Sequence, residues 1–343
     1  MSISPAPLAG SSSPGRLRRA LPRLISLTVG TVLGIVLIVL LLRGVNGHVL
    51  VRTLSRANYW LLAAAVTPSV AILFLKVERW RVLLGADSPG RNVLFAALNV
   101  GYAVNTLLPA RIGDLVSAYW LARQGTISLV RTISTIAVER VADGLTLCVI
   151  LFVLAPSVAL PPRILMTAVV AGVLGALILG GLILVAALMR TGRRAWWIFG
   201  RYRETRVGGV LQQVTAGVRA LHSGSSAASF VVWTCLIWAA TVVQVWLALA
   251  AFDIQLPPAG VVLLTAVLFL SMAVPAAPAY IGVFDYVMVL MLGLYGVART
   301  PAVAAALACH AVVFLPVTVI GMVYLARAGS QTAAQIFETA AGG

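Results

Sequence analysis

Residues 226–251 read SAASFVVWTCLIWAATVVQVWLALAA, an unbroken run that contains no charged side chain. At about 1.5 Å per residue, a helix of this length crosses the ~30 Å hydrocarbon core of a bilayer. Comparable apolar runs stand at 24–42, 58–75, 132–157, 164–189 and 302–326. Of the whole chain, 61% is hydrophobic and only 10% charged, with a mean hydropathy of +1.03. Soluble domains carry about 25% charged residues, so water is the wrong solvent for most of this surface. The longest interruption, Thr191 to Ser225, is too short for an ordinary soluble domain of ~100–150 residues. The expected fold class is therefore an all-α polytopic membrane protein.

Two further apolar stretches, 93–122 and 259–296, are each broken by a Pro/Gly motif. Pro109-Ala-Arg-Ile-Gly113 in the first matches Pro278-Ala-Tyr-Ile-Gly282 in the second, and Asp114 and Asp285 follow closely. Pro109, Gly113, Pro278 and Gly282 are suited to ending one short helix and starting another. The expectation is about six full spans plus two broken, re-entrant elements, eight or so transmembrane segments in all. Three full spans separate the two elements, so the second enters from the opposite face, and the pair reads as an inverted repeat. Oppositely oriented, interrupted segments point to a transporter with its site near the midplane. Loop parity requires each element to return to its own side, as a hairpin or as a pair of short spans.

The net charge of +16 comes from 25 Lys and Arg against nine acids, and Lys76 is the one lysine. The arginines stand between apolar runs, where they act as topology signals and headgroup contacts; nucleic acid is not expected as a partner. The loops Lys76–Arg91, Arg123–Arg131 and Arg190–Arg206 are basic, whereas 158–163 and 252–258 hold one arginine (Arg163) and none. The positive-inside rule then puts both termini in the cytoplasm, and the expected location is a bacterial inner (plasma) membrane. The loop 43–57, with Arg43, Arg52 and Arg56, is discordant. Residues 1–23 read as a disordered basic tail, 24–327 as one transmembrane domain, and 328–343 as a C-terminal tail. Within the domain, 191–225 mixes Trp196, Trp197 and Phe199 with arginines, as a segment lying on the cytoplasmic leaflet does. The run 24–42 is read as an uncleaved span, since no small-x-small cleavage site follows it. Cys148, Cys235 and Cys309 lie in apolar runs without CxxC spacing, so buried spacers are expected, with no disulfide and no metal site.

Ionisable groups at membrane depth cost about 2.5–3.5 kcal/mol at a helix centre and persist when paired or functional. They gather in Asn105-Thr-Leu-Leu-Pro-Ala-Arg-Ile-Gly-Asp114 and in Glu139-Arg140-Val-Ala-Asp143. Glu139 and Asp143 are four apart and share a helical face. Counted from Thr132 they lie about 10 and 16 Å into the membrane. Two bare carboxylates there repel, so an arginine must approach or one must be protonated. Arg111 is the expected partner, with Arg140 on an adjoining face. Broken helix ends offer free N–H groups to an anion, and Arg111 is able to bind a phosphate bidentately. Asn105, Arg111 and Arg140 are therefore the candidate headgroup ligands. Asp114, Glu139, Asp143, Asp285 and His310 are candidates for gating or proton coupling. Glu78-Arg79-Trp80-Arg81 reads as an interfacial anchor at the end of the second span.

No Gly-rich phosphate loop, HExxH, aspartate-rich prenyl-diphosphate motif or Gly-x-Ser-x-Gly elbow is present, so neither an enzyme nor a cofactor is expected.

The run NTLLPARIGDLVSAYWLAR (105–123), then ERVADGLTL (139–147) and PAYIGVFD (278–285), resembles the flippase-like transmembrane region of lysylphosphatidylglycerol synthases. ERWRVLLG (78–85) also fits that family's Arg-Trp-Arg pattern. The resemblance implies a stand-alone membrane domain that moves a lipid between leaflets, without the synthase's aminoacyl-transferase domain. It carries over Arg111, Glu139, Arg140 and Asp143 as site residues. This chain departs from the family where Asp114 replaces the usual Glu, where Ser117 replaces an Arg, and in Ala279, Tyr280 and Asp285 of the third motif. Those changes bear on which lipid is handled.

The expected function is a lipid flippase or transporter for an anionic or polyprenyl-linked lipid. The alternative is a non-transporting membrane subunit that scaffolds or regulates a separate lipid-modifying enzyme.

Overall fold

The computed structural model describes residues 31–108, 112–125, 127–154, 166, 170, 172–177, 180–181, 221, 223–272 and 277–327. The tail 1–23, most of the 164–189 run, most of the basic segment 191–225 and the tail 328–343 lie outside them, as do Pro109 and Arg111. Among the described residues every regular element is helical.

Three helices are long and apolar enough to cross a bilayer alone: α3 (Tyr59–Leu84), α7 (Gly224–Ala250) and α10 (Arg299–Arg327). A fourth long helix, α6 (Leu129–Leu154), has 26 residues and carries Arg131, Glu139, Arg140 and Asp143 within its length. The described part of the first span is α1 (Thr31–Leu42), which turns by 89° into α2 (Gly47–Ser55). Asn58 caps α3 by accepting from the Trp60 and Leu61 N–H groups, and Ser223 caps α7 through Ser226 N–H. Pro68 and Pro316 stand inside α3 and α10. The protein is a polytopic α-helical membrane protein.

The two interrupted segments are hairpins. In the first, α4 (Arg91–Leu107) and α5 (Ile112–Arg123) pack antiparallel. Their contact is between backbones: a Cβ on Gly113 would overlap the Gly101 carbonyl oxygen, and the Ser117 hydroxyl donates to Ala97 O at 2.8 Å. Small residues are what permit such an approach in lipid, where apolar burial alone does not drive helices together. In the second hairpin, α8 (Pro258–Ser271) packs on α9 (Val283–Leu294). With 12 residues, α5 and α9 are each about 18 Å long, and α8 with 14 residues about 21 Å, all short of the ~30 Å core. These arms enter and return on one side.

The sides differ. The open ends of α4 and α5 lie with the charged end of α3, where Arg91 and Arg81 pair with Glu78 and Arg131 pairs with Asp87 at 2.6 Å. The open end of the second hairpin lies on the opposite face. There Asn58 N–H donates to Ala251 O at 2.8 Å, and Arg299 donates to the Leu40 carbonyl. The tips therefore point toward each other, and Pro278–Tyr280, the 3₁₀ turn at the second tip, packs on α4.

Two sequence expectations change. The stretch 43–57 is not a plain loop: it holds α2, capped by Asn46, which accepts from His48 and Val49 N–H. A nine-residue helix with arginines lying at a bend of this kind reads as interfacial, which removes the discordance of Arg52 and Arg56. Cys235 is exposed on the bundle's outer surface, whereas Cys148 and Cys309 are buried.

Candidate functional site

α3 presents Ser69, Leu73, Val77 and Trp80 to the bundle at helical spacing, all buried. The same inward side carries Arg79, whose side chain is 1% exposed. It reaches α6 and donates to both oxygens of Asp143, at 2.6 and 3.0 Å, and through Nε to Glu139 at 3.0 Å. Phe230 lies under its guanidinium, 5.6 Å from the ring centroid, and Trp80 Nε1 donates to Thr135 at 2.9 Å. This corrects the reading of Glu78-Arg79-Trp80-Arg81 as an anchor: Glu78 and Arg81 keep that place, while Arg79 and Trp80 turn inward. Among the described residues the ion-pair partner of Glu139 and Asp143 is Arg79, which the sequence reading did not name. Arg111 lies outside the described residues.

Arg140 points the other way, into the first hairpin. It donates to Asp114 from Nη2 at 2.8 Å and from Nε at 3.2 Å. Asn105 braces the same carboxylate, its amide donating to Asp114 Oδ1 at 3.1 Å, while its own oxygen accepts the Gly113 N–H at 2.7 Å. One asparagine thus ties the last turn of α4 to the first turn of α5. Asn105, Gly113, Asp114 and Arg140, named in the sequence for separate roles, are brought together here.

The second tip is built differently. Gly282 has φ +88°, and a Cβ there would meet the Gly34 carbonyl oxygen of α1 at 2.5 Å, so only glycine fits. Ala279 and Tyr280, at φ 55° and 59°, also stand in the left-handed region, which costs about 1–2 kcal/mol per residue outside glycine. Asp285, almost fully buried, accepts the Gly282 N–H at 3.2 Å and caps α9. Both of its oxygens lie 3.1 Å from His310 Nδ1 on α10. Asp285 and His310, singled out separately in the sequence, are thus one pair, with Phe284 and Phe314 packed on the imidazole.

Between the tips lies a cavity of about 250 Å³. Its polar wall is formed by Lys76, Tyr102, Asn105, Thr106, Arg140 and Asp143, and its apolar wall by Trp238, Phe269, Phe314 and Val317. Tyr280 of the second tip closes one side, and Ser69, Thr241 and Gln244 form a polar band. Gln244 donates to Ser69, whose hydroxyl donates to Val312 O at 2.8 Å, so the band ties α3, α7 and α10 together. The indole N–H of Trp238 is buried without a hydrogen-bond partner among the described residues. Lys76 was not among the sequence candidates; its standing as the one lysine of the chain is the signal that was available.

These features define a polytopic membrane protein with two opposed broken hairpins around a charged cavity. The family described as the lysylphosphatidylglycerol synthase TM region matches residues 24–321, and the chain belongs to it. It is similar to the glycosyltransferase AglD of Haloferax volcanii, at 27% identity over 86% of this chain and 53% of that protein. It is also similar to a UPF0104 membrane protein of Methanothermobacter thermautotrophicus, at 24% identity over 90% of this chain and 97% of that protein. The chain thus spans about half of the first relative and nearly all of the second. No solved structure matches it.

Proposed function

We propose that the protein is a non-enzymatic lipid flippase or transporter that moves an anionic or polyprenyl-linked lipid between leaflets. The observation that carries this reading is the meeting of two oppositely oriented broken hairpins at a cavity lined by charged groups. Irregular backbone at membrane depth is tolerated where it lines a cavity or is buried in protein. Paired interrupted elements around a central site are the architecture that alternating access uses. The polar wall offers cations to a headgroup phosphate, and the aromatic wall offers an apolar surface to a chain. The basic face is assigned to the cytoplasm, following the arginine bias of the loops.

The test is headgroup-labelled lipid translocation by purified protein in liposomes, with Arg140→Gln and Asp143→Asn beside the wild type. Translocation by the wild type and its loss in folded variants is the expected result. A wild type that moves no anionic or polyprenyl lipid, with or without a proton gradient, sinks the reading.

A second reading rests on the relative named as a glycosyltransferase, in which a region like this chain makes up about half the protein. In that reading the domain scaffolds or regulates a separate lipid-modifying enzyme.

A further inference from the structure

Lys76 is the one lysine among 25 basic side chains, and it stands on the polar wall of the cavity. The described arginines near it, Arg79 and Arg140, are committed. Arg79 is held by Glu139 and Asp143, and Arg140 by Asp114. Lys76 has no ion pair or hydrogen bond to the described residues, and its ammonium lies over the Tyr102 ring, 5.8 Å from the centroid. A half-buried cation beside an aromatic face, opening on an apolar chamber, attracts an anion more strongly than in water, because the local dielectric is low. Its three donors on a flexible stem adapt to an oxygen cluster in a way that a guanidinium pinned by a carboxylate does not.

We infer that Lys76 is the phosphate-binding residue of the cavity, and that the ligand is a lipid whose phosphate contacts the Lys76 ammonium while its chain lies along Trp238 and Phe314. The proposal rests on the reading of the cavity as a lipid site, and it adds the residue and the chemistry. Arg79 and Arg140 then shape the polar wall and position the hairpin, while Lys76, which shares the field of Glu139 and Asp143 with Arg79, supplies the one cation near the cavity that no ion pair holds among the described residues.

Because Lys76 is the sole lysine, it reports on its own occupancy. Reductive methylation of the purified wild type in maltoside micelles, followed by peptide mass spectrometry, gives the rate at this one side chain apart from the N-terminal amine. Four additions are compared: dioleoyl phosphatidylglycerol, a polyprenyl monophosphate, dioleoylglycerol and soluble glycerol phosphate. At least one phosphate-bearing lipid is expected to slow Lys76 methylation severalfold, with dioleoylglycerol and glycerol phosphate without effect. Equal protection by dioleoylglycerol overturns the phosphate contact, and equal protection by glycerol phosphate overturns the lipid as its source. No protection by either phosphate lipid overturns the proposal altogether. Protection in a protein that translocates nothing supports the inference and removes only the transport reading. Translocation without protection does the reverse.

Discussion

Arg79 and Asp143, 64 positions apart in the chain, meet in a two-point ion pair, with N–O distances of 2.6 and 3.0 Å. The arginine is 1% exposed and the aspartate 13%. Removing one member of such a pair leaves an uncompensated charge at depth, which costs about 3–5 kcal/mol. Arg79→Met is therefore expected to unfold at markedly lower temperature than the wild type in detergent, and Arg79→Lys, which loses the fork, to fall between them. An Arg79→Met melting curve that overlays the wild type would show that the pair contributes nothing.

The first hairpin depends on backbone contact. Gly113→Ala puts a methyl against the Gly101 carbonyl oxygen and is expected to cost about 1–3 kcal/mol through overpacking. Gly293 on α9 has open space where its Cβ would stand, so Gly293→Ala is expected to be neutral or to stabilise by up to ~1 kcal/mol. Thermal melts of the two variants side by side test this, and equal behaviour contradicts the geometry.

At the second tip, charge and capping are separable. Asp285→Asn keeps an oxygen able to accept the Gly282 N–H, whereas Asp285→Ala keeps none. The alanine variant is expected to be less stable than the asparagine variant by about 1 kcal/mol, the worth of an N-cap. If the two melt together, Asp285 acts through its charge toward His310 and not through the cap.

The meeting of the hairpins is testable by cross-linking. In a background with Cys148, Cys235 and Cys309 replaced, cysteines at Thr106 and Tyr280, which line the same cavity, are expected to join through a short bismaleimide. Cysteines at Arg91 and Tyr295, at the open ends of the two hairpins on opposite faces, are expected not to. Joining of the second pair, or failure of the first, rejects the opposed arrangement.

Much of this fold was legible because lipid imposes a length and a satisfaction rule that sequence displays directly. The apolar runs gave α3, α7 and α10, and the Pro/Gly interruptions gave both hairpins. Glu139 and Asp143 announced that a cation had to approach them. Which cation did so was not legible. As far as Leu75, α3 is apolar on every face, because its neighbours on one side are lipid and on the other side protein, and both favour the same residues. Periodicity therefore did not tell which of Glu78, Arg79 and Arg81 turned inward. The pairing of Asp285 with His310 is a tertiary fact, set by how α10 lies against α9. α2 went unseen because nine residues at a bend leave too short a pattern, and only the Asn46 cap marks it.

Among the described residues the polar cluster holds three cations, Lys76, Arg79 and Arg140, and three carboxylates, Asp114, Glu139 and Asp143. Carrying one elementary charge across the bilayer at 100 mV involves about 2.3 kcal/mol. A movement that carries these six groups together displaces almost no net charge, whereas one that parts the cations from the carboxylates does displace charge. For such a joint movement the membrane voltage has little purchase on the protein itself, and in the proposed transport it acts chiefly on whatever charge the lipid brings.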